Sequence, residues 1–242
     1  MQYARRRASP AGRLFGCIHR GHRLHADSVC GRTAKCNPRC GVLFCRVGNP
    51  TFQYAEDTSR WRSWQHEYRY GGFYIFPPHG VIEDVDALRL RYDPLSARAC
   101  QAHVSLSEPV PRALEQSDVD ELRELLAAVE PFMITYDQVH ATLPYAGVVY
   151  RIRPVEDFQR LRDLVHTASA FGGSSFPRAS IPPHMTIAEF ISAERSVEVE
   201  AELRGQIREG EWMCEDIEYA IPDNKMTFHR VFRLPLGRYA PA

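Results

Sequence analysis

The chain lacks the long apolar run that a membrane-spanning helix needs. No stretch of its 242 residues approaches the roughly 20 apolar residues that cross a bilayer, so we predict no membrane partner. The chain also lacks a net charge, because 30 lysines and arginines balance 30 aspartates and glutamates. Strong sequence-independent binding along a nucleic-acid backbone needs clustered cations, whereas a small nucleotide or an RNA end needs only one pocket.

The charges are divided unevenly along the chain. Residues 1–50 hold ten basic side chains and one acidic residue, Asp27, which leaves 20 basic and 29 acidic side chains in residues 51–242. Residues 1–66 show no sustained helical or strand periodicity and are rich in arginine, glycine and proline. We therefore expect residues 1–66 to be a disordered basic extension, or sequence upstream of the true start, and residues 67–242 to form the folded domain.

Cysteine pairs with the spacing of a structural zinc site are missing. Five of the seven cysteines lie in the extension beside three histidines, but no two of them form the C-x2-C pair that such sites favour. A zinc-dependent nucleic-acid module in the extension is therefore the less favoured alternative. We predict no metal ion and no cofactor for the chain. The remaining two, Cys100 and Cys214, are expected to be reduced thiols, which is typical of a cytoplasmic protein.

One short pattern occurs three times: histidine, any residue, a hydroxyl residue and an aliphatic residue. The copies are His103-Val104-Ser105-Leu106, His140-Ala141-Thr142-Leu143 and His184-Met185-Thr186-Ile187. Composition predicts roughly 0.2 chance copies among the histidines of the chain. Alternate residues of a β-strand share a face, so each histidine would point the same way as its hydroxyl residue, and the aliphatic residues would face the core.

Hydrophobic periodicity predicts alternating helices and strands. The helices are expected near residues 81–91, 118–130, 155–170 and 194–207, and a loop is expected over 95–102. The strands are expected at the two outer motif copies and at residues 72–76, 132–139, 148–153, 212–221 and 226–236. Short antiparallel hairpins, rather than uniform βαβ units, favour an α+β fold over a doubly wound parallel sheet.

Context separates the three copies of the pattern. His103 and His184 each follow a loop, enter a strand and precede a helix, and they lie 81 residues apart, close to half of residues 67–242. That spacing indicates a pseudo-repeat in which each half supplies one motif strand. His140 lies at a hairpin turn where Pro144 interrupts its strand, so we predict that it is not catalytic. The alternative for His103 and His184 is two core histidines with satisfied hydrogen bonds, and their matched contexts favour function.

The residue types suit acid–base chemistry on a phosphate. Two imidazoles with an ordinary pKa near 6.5 can serve as one neutral base and one protonated acid. The hydroxyls of Ser105 and Thr186 can hold the non-bridging phosphate oxygens. Which histidine is the base stays open. Tyr145 and Arg151 are possible accessory residues, with packing and solvent exposure as their alternatives.

The paired motif resembles the signature of the two-histidine phosphoesterases, which include the 2′,5′-RNA ligase-like proteins and the RNA 2′,3′-cyclic phosphodiesterases. Ser105 stands where that signature commonly has threonine. Further similarity to bacterial members lies in Leu90-Arg91-Tyr92-Asp93-Pro94, Gly147-Val148-Val149-Tyr150 and Pro183-His184. The resemblance covers about residues 68–238. It implies a bilobal, pseudo-symmetric α+β fold of two antiparallel sheets, with flanking helices around a central cleft.

The resemblance also implies a function. We expect a monomeric, metal-independent phosphodiesterase that acts on a 2′,3′-cyclic phosphate, a 2′,5′-linked RNA end or a related cyclic nucleotide, with catalytic residues His103 and His184 and a possible reverse ligase activity. The alternative is a protein of the same fold that binds a nucleotide or RNA without turnover. The presence of both histidines and both hydroxyl residues favours the enzyme.

Overall fold

The structure is a computed structural model, and it describes residues 52–172, 181–206 and 209–237. Most of the predicted basic extension, with its cysteines and the zinc alternative, lies outside the described residues. Within those residues, no helix is both long enough and apolar enough to span a bilayer.

Eight strands and five α-helices make up the described fold. The strands are β1 (Gly72–Ile75), β2 (Val104–Ser105), β3 (Phe132–Ala141), β4 (Val148–Arg153), β5 (His184–Ala188), β6 (Gly210–Cys214), β7 (Asp216–Pro222) and β8 (Phe228–Pro235). The α-helices are α1 (His79–Tyr92), α2 (Pro94–Ala99), α3 (Gln116–Leu126), α4 (Val155–Val165) and α5 (Ala193–Leu203). Two 3-10 helices span Ser63–Tyr70 and Ser169–Phe171.

The strands form an antiparallel sheet in the order β6-β3-β4-β5-β2-β1-β7-β8. Its two four-stranded halves meet where the motif strands pair, with Val104 of β2 opposite Met185 of β5. The α+β class and the two-half organisation are confirmed. The halves are not separate sheets, however, because the short β2–β5 ladder joins them edge to edge.

The core lies between the sheet and helices α1, α3, α4 and α5. The motif strands contribute their aliphatic residues to it: Val104, Leu106, Met185 and Ile187 are fully buried. Alternate residues of these strands therefore point to opposite faces, as the period-two pattern predicts. The histidines and hydroxyl residues are left on the other face.

The folded domain begins before the predicted boundary at residue 66. Phe52 and Tyr54 pack against the main core, and Trp61 is buried beside Met226. The Trp61 indole N–H also donates a hydrogen bond to the Asn224 carbonyl at 3.1 Å. The boundary is therefore wrong for residues 52–66. Aromatic residues hold this segment in place, and they are spaced too irregularly to produce a helical or strand period.

Two predicted elements are also corrected by the structure. The expected loop over 95–102 contains α2, because the Asp93 side chain accepts a hydrogen bond from the Ser96 N–H at 3.2 Å and Pro94 occupies the first turn. The expected strand over 212–221 is two strands in opposite halves. β6 pairs with β3, whereas β7 pairs with β1 and β8. The residue pattern of 212–221 predicts a strand but does not show that the chain changes its pairing partner at Glu215.

Candidate active site

The residues of the two outer motif copies meet in one cavity of about 860 Å³. Its wall includes His103, Ser105, His184 and Thr186, which come from the adjacent strands β2 and β5 and the residue before β2. The sequence predicted that these four residues would lie together. The fold brings them together because the β2–β5 ladder joins the two halves.

The two imidazoles are held by the same local contact. Nδ1 of His103 lies 2.6 Å from the carbonyl oxygen of Gln101, and Nδ1 of His184 lies 2.9 Å from that of Pro182. A carbonyl oxygen can only accept a hydrogen bond, so Nδ1 carries the proton in both neutral rings. Each ring therefore has Nε2 as its proton acceptor. The carbonyl belongs in both cases to the residue two positions before the histidine, so the pseudo-repeat extends to the hydrogen bonds.

Burial and nearby cations keep both rings neutral at pH 7. Burial lowers the pKa of His103 to about 4, and the positive charges of Arg89 and of protonated His184 add to the effect. Burial also lowers the pKa of His184 below its ordinary value, with a further contribution from the charge of Arg162. A bound phosphate would oppose both effects, because a negative charge favours the protonated imidazole.

Aromatic rings from β1 and from the residue after it lie on the side of the cavity next to His103. The Tyr74 ring meets the imidazole edge-on with 4.9 Å between ring centroids, and Phe76 lies 5.9 Å away. Tyr74 is also the ladder partner of Ser105. These contacts restrict the rotation of the His103 ring.

Two buried arginines, which the sequence analysis did not single out, line the same cavity. Arg89 of α1 is 1% exposed and Arg162 of α4 is 8% exposed. Both lie on the buried stripe of their helix, near Val85 in α1 and near Phe158 in α4. An arginine at an apolar position of a helical period is the sequence signal that could have found them, because a buried charge needs several partners.

The mouth of the cavity is aromatic and cationic. Trp64 and Tyr68 come from the 3-10 helix Ser63–Tyr70, and Phe190 follows β5. Trp64 is 42% exposed and Phe190 is 43% exposed, with 6.4 Å between their ring centroids. The basic side chains that also line the cavity, besides the two buried arginines, are Arg62, Arg98 and Lys225.

Cys100 lines the cavity but is not suited to act as a nucleophile. Burial raises the pKa of its thiol to about 12, so the thiolate is absent at neutral pH. No group of three or more His, Cys, Asp or Glu side chains that could hold a metal ion occurs in the part of the chain that the structure describes.

The other predicted residues lie outside the cavity wall. His140 is on β3, two strands away from β5, and its Nε2 lies 3.2 Å from Oε1 of Gln138. Tyr145 is 81% exposed in the loop between β3 and β4. Arg151 is the ladder partner of His184, yet it does not line the cavity. The accessory roles of Tyr145 and Arg151 stay predictions without a cavity contact to support them.

Comparison with known proteins identifies the family. Residues 76–225 match the family model of the 2′-5′ RNA ligase superfamily. The chain belongs to this superfamily. The matched region contains both outer motif copies and both buried arginines, whereas the 3-10 helix Ser63–Tyr70 precedes it.

The chain is similar to bacterial proteins that are named as phosphoesterases. A candidate phosphoesterase of Bacillus thuringiensis (strain Al Hakam) is 27% identical over 175 residues, which cover 69% of this chain and 97% of the relative. A second, OB1230 of Oceanobacillus iheyensis, is 29% identical over 121 residues, covering 49% of this chain and 69% of the relative. Among solved structures, Escherichia coli LigT complexed with 3′-AMP is similar with a TM-score of 0.49 and 16% identity, covering 69% of this chain and 97% of LigT.

Proposed function

We propose that this member of the 2′-5′ RNA ligase superfamily is a metal-independent phosphodiesterase. Its substrate would be a 2′,3′-cyclic phosphate, a 2′,5′-linked RNA end or a related cyclic nucleotide. The observation that carries the proposal is the pair of Nδ1-protonated imidazoles, His103 and His184, which share one cavity with two hydroxyl side chains.

The charges around the two rings support an assignment of acid and base. Burial and the charge of Arg89 lower the pKa of His103 to about 4, so the first proton goes to His184. The charge of protonated His184 then disfavours a second proton on His103. We therefore assign His103 as the general base and His184 as the general acid.

Hydrolysis of a 2′,3′-cyclic phosphate then follows in one displacement. Nε2 of neutral His103 takes a proton from water while the water oxygen forms a bond to phosphorus. Nε2 of protonated His184 gives its proton to the ribose oxygen whose bond to phosphorus breaks. The product is a ribose monophosphate with a free neighbouring hydroxyl. The hydroxyls of Ser105 and Thr186 donate to the phosphate oxygens, where charge builds up in the transition state.

The mouth of the cavity supports a substrate that carries a nucleobase. The exposed faces of Trp64 and Phe190 offer a surface on which a base can stack, and stacking of this kind is tolerant of base identity. Arg62 and Lys225 suit a neighbouring phosphate. A nucleotide or an RNA end therefore fits the mouth better than a cyclic phosphate without a base.

The test compares variants of the two outer motif copies with variants of the third copy. Purified protein is incubated in EDTA with 2′,3′-cyclic nucleotides, 3′,5′-cyclic nucleotides, a 2′,5′-linked dinucleotide and an RNA with a 2′,3′-cyclic end. The variants are His103→Ala, His184→Ala, Ser105→Ala and Thr186→Val, and the matched controls from the third copy are His140→Ala and Thr142→Val.

The proposal predicts turnover in EDTA that disappears in both outer histidine variants. The two hydroxyl variants should lose on the order of 100-fold in kcat, the typical cost of removing one transition-state donor. The His140 and Thr142 variants should keep wild-type rates. Equal rates in His103→Ala and wild type would refute the site. Tight nucleotide binding without turnover of any of these substrates would favour the binding-protein alternative.

A further inference from the structure

The two buried arginines make equivalent contacts in the two halves of the fold. Nη2 of Arg89 donates to the Cys100 carbonyl oxygen at 2.8 Å. Nη1 of Arg162 donates to the Ile181 carbonyl oxygen at 3.1 Å. In each half the accepting carbonyl belongs to the residue three positions before the motif histidine. The next carbonyl along the chain accepts from Nδ1 of that histidine.

Each arginine makes further hydrogen bonds, and their acceptors lie between residues 96 and 106. Nη2 of Arg89 also donates to the carbonyl oxygen and the hydroxyl of Ser96, at 2.8 and 3.0 Å. Nε of Arg162 donates to the Leu106 carbonyl oxygen at 3.1 Å. Nη2 of Arg162 lies 3.4 Å from the Ser105 carbonyl oxygen. Arg162 therefore contacts the first motif as well as the segment before the second. The planar guanidinium fixes where these N–H groups point: Arg162 donates through Nε, Nη1 and Nη2, whereas Arg89 donates through Nη2 alone and its buried Nε and Nη1 have no hydrogen-bond partner in the described part of the chain.

We propose that Arg89 and Arg162 are positioning residues, one for each half, that hold the turn before each motif histidine and so aim its Nε2 at the phosphate. This inference rests on the phosphodiesterase function proposed above. Two successive carbonyls of the same turn are involved, one bound by the arginine and one by the imidazole. Without the hydrogen bond from the arginine, the turn could move. The hydrogen bond from Nδ1 that sets the tautomer and direction of the ring would then be weakened.

A purely structural role is the competing explanation, because any buried arginine needs hydrogen-bond acceptors. The charges distinguish the two roles. His103 is faced by Arg89 from α1, by His184 from β5 and by the Tyr74 ring from β1. His184 is faced by Arg162 from α4. Each arginine thus acts on the histidine of its own half, and loss of one arginine should affect one histidine more than the other.

The experiment compares conservative and neutral variants with neighbours on the same helices. The variants are Arg89→Lys, Arg89→Gln, Arg162→Lys and Arg162→Gln. The controls are Arg91→Gln and Arg160→Gln, whose side chains are 66% and 77% exposed. Each protein is tested for kcat and KM on a 2′,3′-cyclic nucleotide. The tautomer and pKa of His103 and His184 are followed separately by nitrogen-15 NMR of the imidazoles.

The glutamine variants should lower kcat by about 100-fold, the cost expected of a misplacement near 1 Å, with KM changed by less than about threefold. Arg162→Gln should raise the pKa of His184 and leave that of His103 close to wild type, and Arg89→Gln should do the reverse. The lysine variants keep the charge but lose the fork, so kcat should fall while both pKa values stay near wild type. The controls should match wild type in every measurement.

The outcomes separate this inference from the proposed function. Folded arginine variants with wild-type kcat and unchanged imidazole tautomers would overturn the positioning role. If the wild type hydrolyses none of the cyclic phosphates, the proposed function fails, and the NMR pattern still tests whether each arginine holds the histidine of its own half. If a glutamine variant does not fold, the lysine variant of the same arginine carries the test.

Discussion

His103 and His184 share a backbone contact but differ in their electrostatic surroundings. Each ring donates Nδ1–H to the carbonyl two residues earlier. Burial lowers the pKa of both rings. The charges of Arg89 and protonated His184 lower the pKa of His103 further, whereas the cation that lowers the pKa of His184 is Arg162. The same motif pattern therefore occurs with two imidazoles of unequal proton affinity, which is what one base and one acid require.

The pH profile of kcat/KM should reveal this inequality. Under the proposed mechanism, the free enzyme is active when His184 is protonated and His103 is neutral. Activity should fall above the pKa of His184, which lies below 6.5, and below that of His103, which is about 4. The profile of kcat/KM should therefore be bell-shaped with its maximum on the acid side of pH 6.5. The kcat profile should lie at higher pH, because bound phosphate raises both pKa values.

The measurement is initial-rate kinetics on a 2′,3′-cyclic nucleotide from about pH 3.5 to 9, the range that spans both groups. Wild-type stability is checked at each pH by circular dichroism, so that acid unfolding is not mistaken for titration. A flat kcat/KM profile from about pH 5 to 9 would contradict the two-histidine assignment.

At the scale of secondary-structure elements, the motif strands were predictable and the mouth of the cavity was not. The period-two alternation in β2 and β5 is a property of neighbouring residues, and it correctly placed Val104 and Met185 in the core. The 3-10 helix Ser63–Tyr70 has no such period, and its first four residues were assigned to the extension. Its position depends on contacts with distant residues, such as the edge-to-face contact of Tyr68 with Phe228.

Trp64→Ala should weaken nucleotide binding without slowing the chemical step. Loss of one stacked base costs about 1–3 kcal/mol, so KM for a cyclic nucleotide should rise on the order of 10-fold or more, with kcat nearly unchanged. The measurement is a comparison of KM and kcat with those for glycerol 1,2-cyclic phosphate, which has no base.

Tyr145→Ala is the matched control for this variant, because Tyr145 is an exposed aromatic residue outside the cavity wall. It should leave KM unchanged, and a rise in KM would restore its predicted accessory role. If Trp64→Ala raised KM for the base-free substrate by a similar factor, the tryptophan would shape the cavity instead of binding a base.

At the scale of the whole molecule, a short ladder unites the two halves. Val104 and Met185 are its paired residues, and both are fully buried. The four motif residues reach one cavity through this ladder, although the two motifs lie 81 residues apart in the sequence. Packing at the ladder should therefore affect stability and catalysis together.

Met185→Ala should lower the free energy of unfolding by about 2–5 kcal/mol, the usual cost of truncating a large buried side chain to alanine. It should also lower kcat, because the cavity that it leaves lets β2 and β5 shift. Urea unfolding and steady-state kinetics provide the two measurements. The control is Met213→Ala, whose side chain on β6 is 45% exposed; its effect should stay within about 0.5 kcal/mol. Unchanged stability in Met185→Ala would contradict the role of the ladder.

The sequence by itself determined the α+β class, the faces of the motif strands and which two of its three histidine motifs have matching contexts. These features follow from the identity of residues that are close in sequence. Only the tertiary structure decided that the halves join at β2 and β5, that residues 52–66 pack onto the domain, and that Arg89 and Arg162 line the cavity. Those outcomes depend on packing and strand pairing between residues far apart in sequence, which local periodicity does not record.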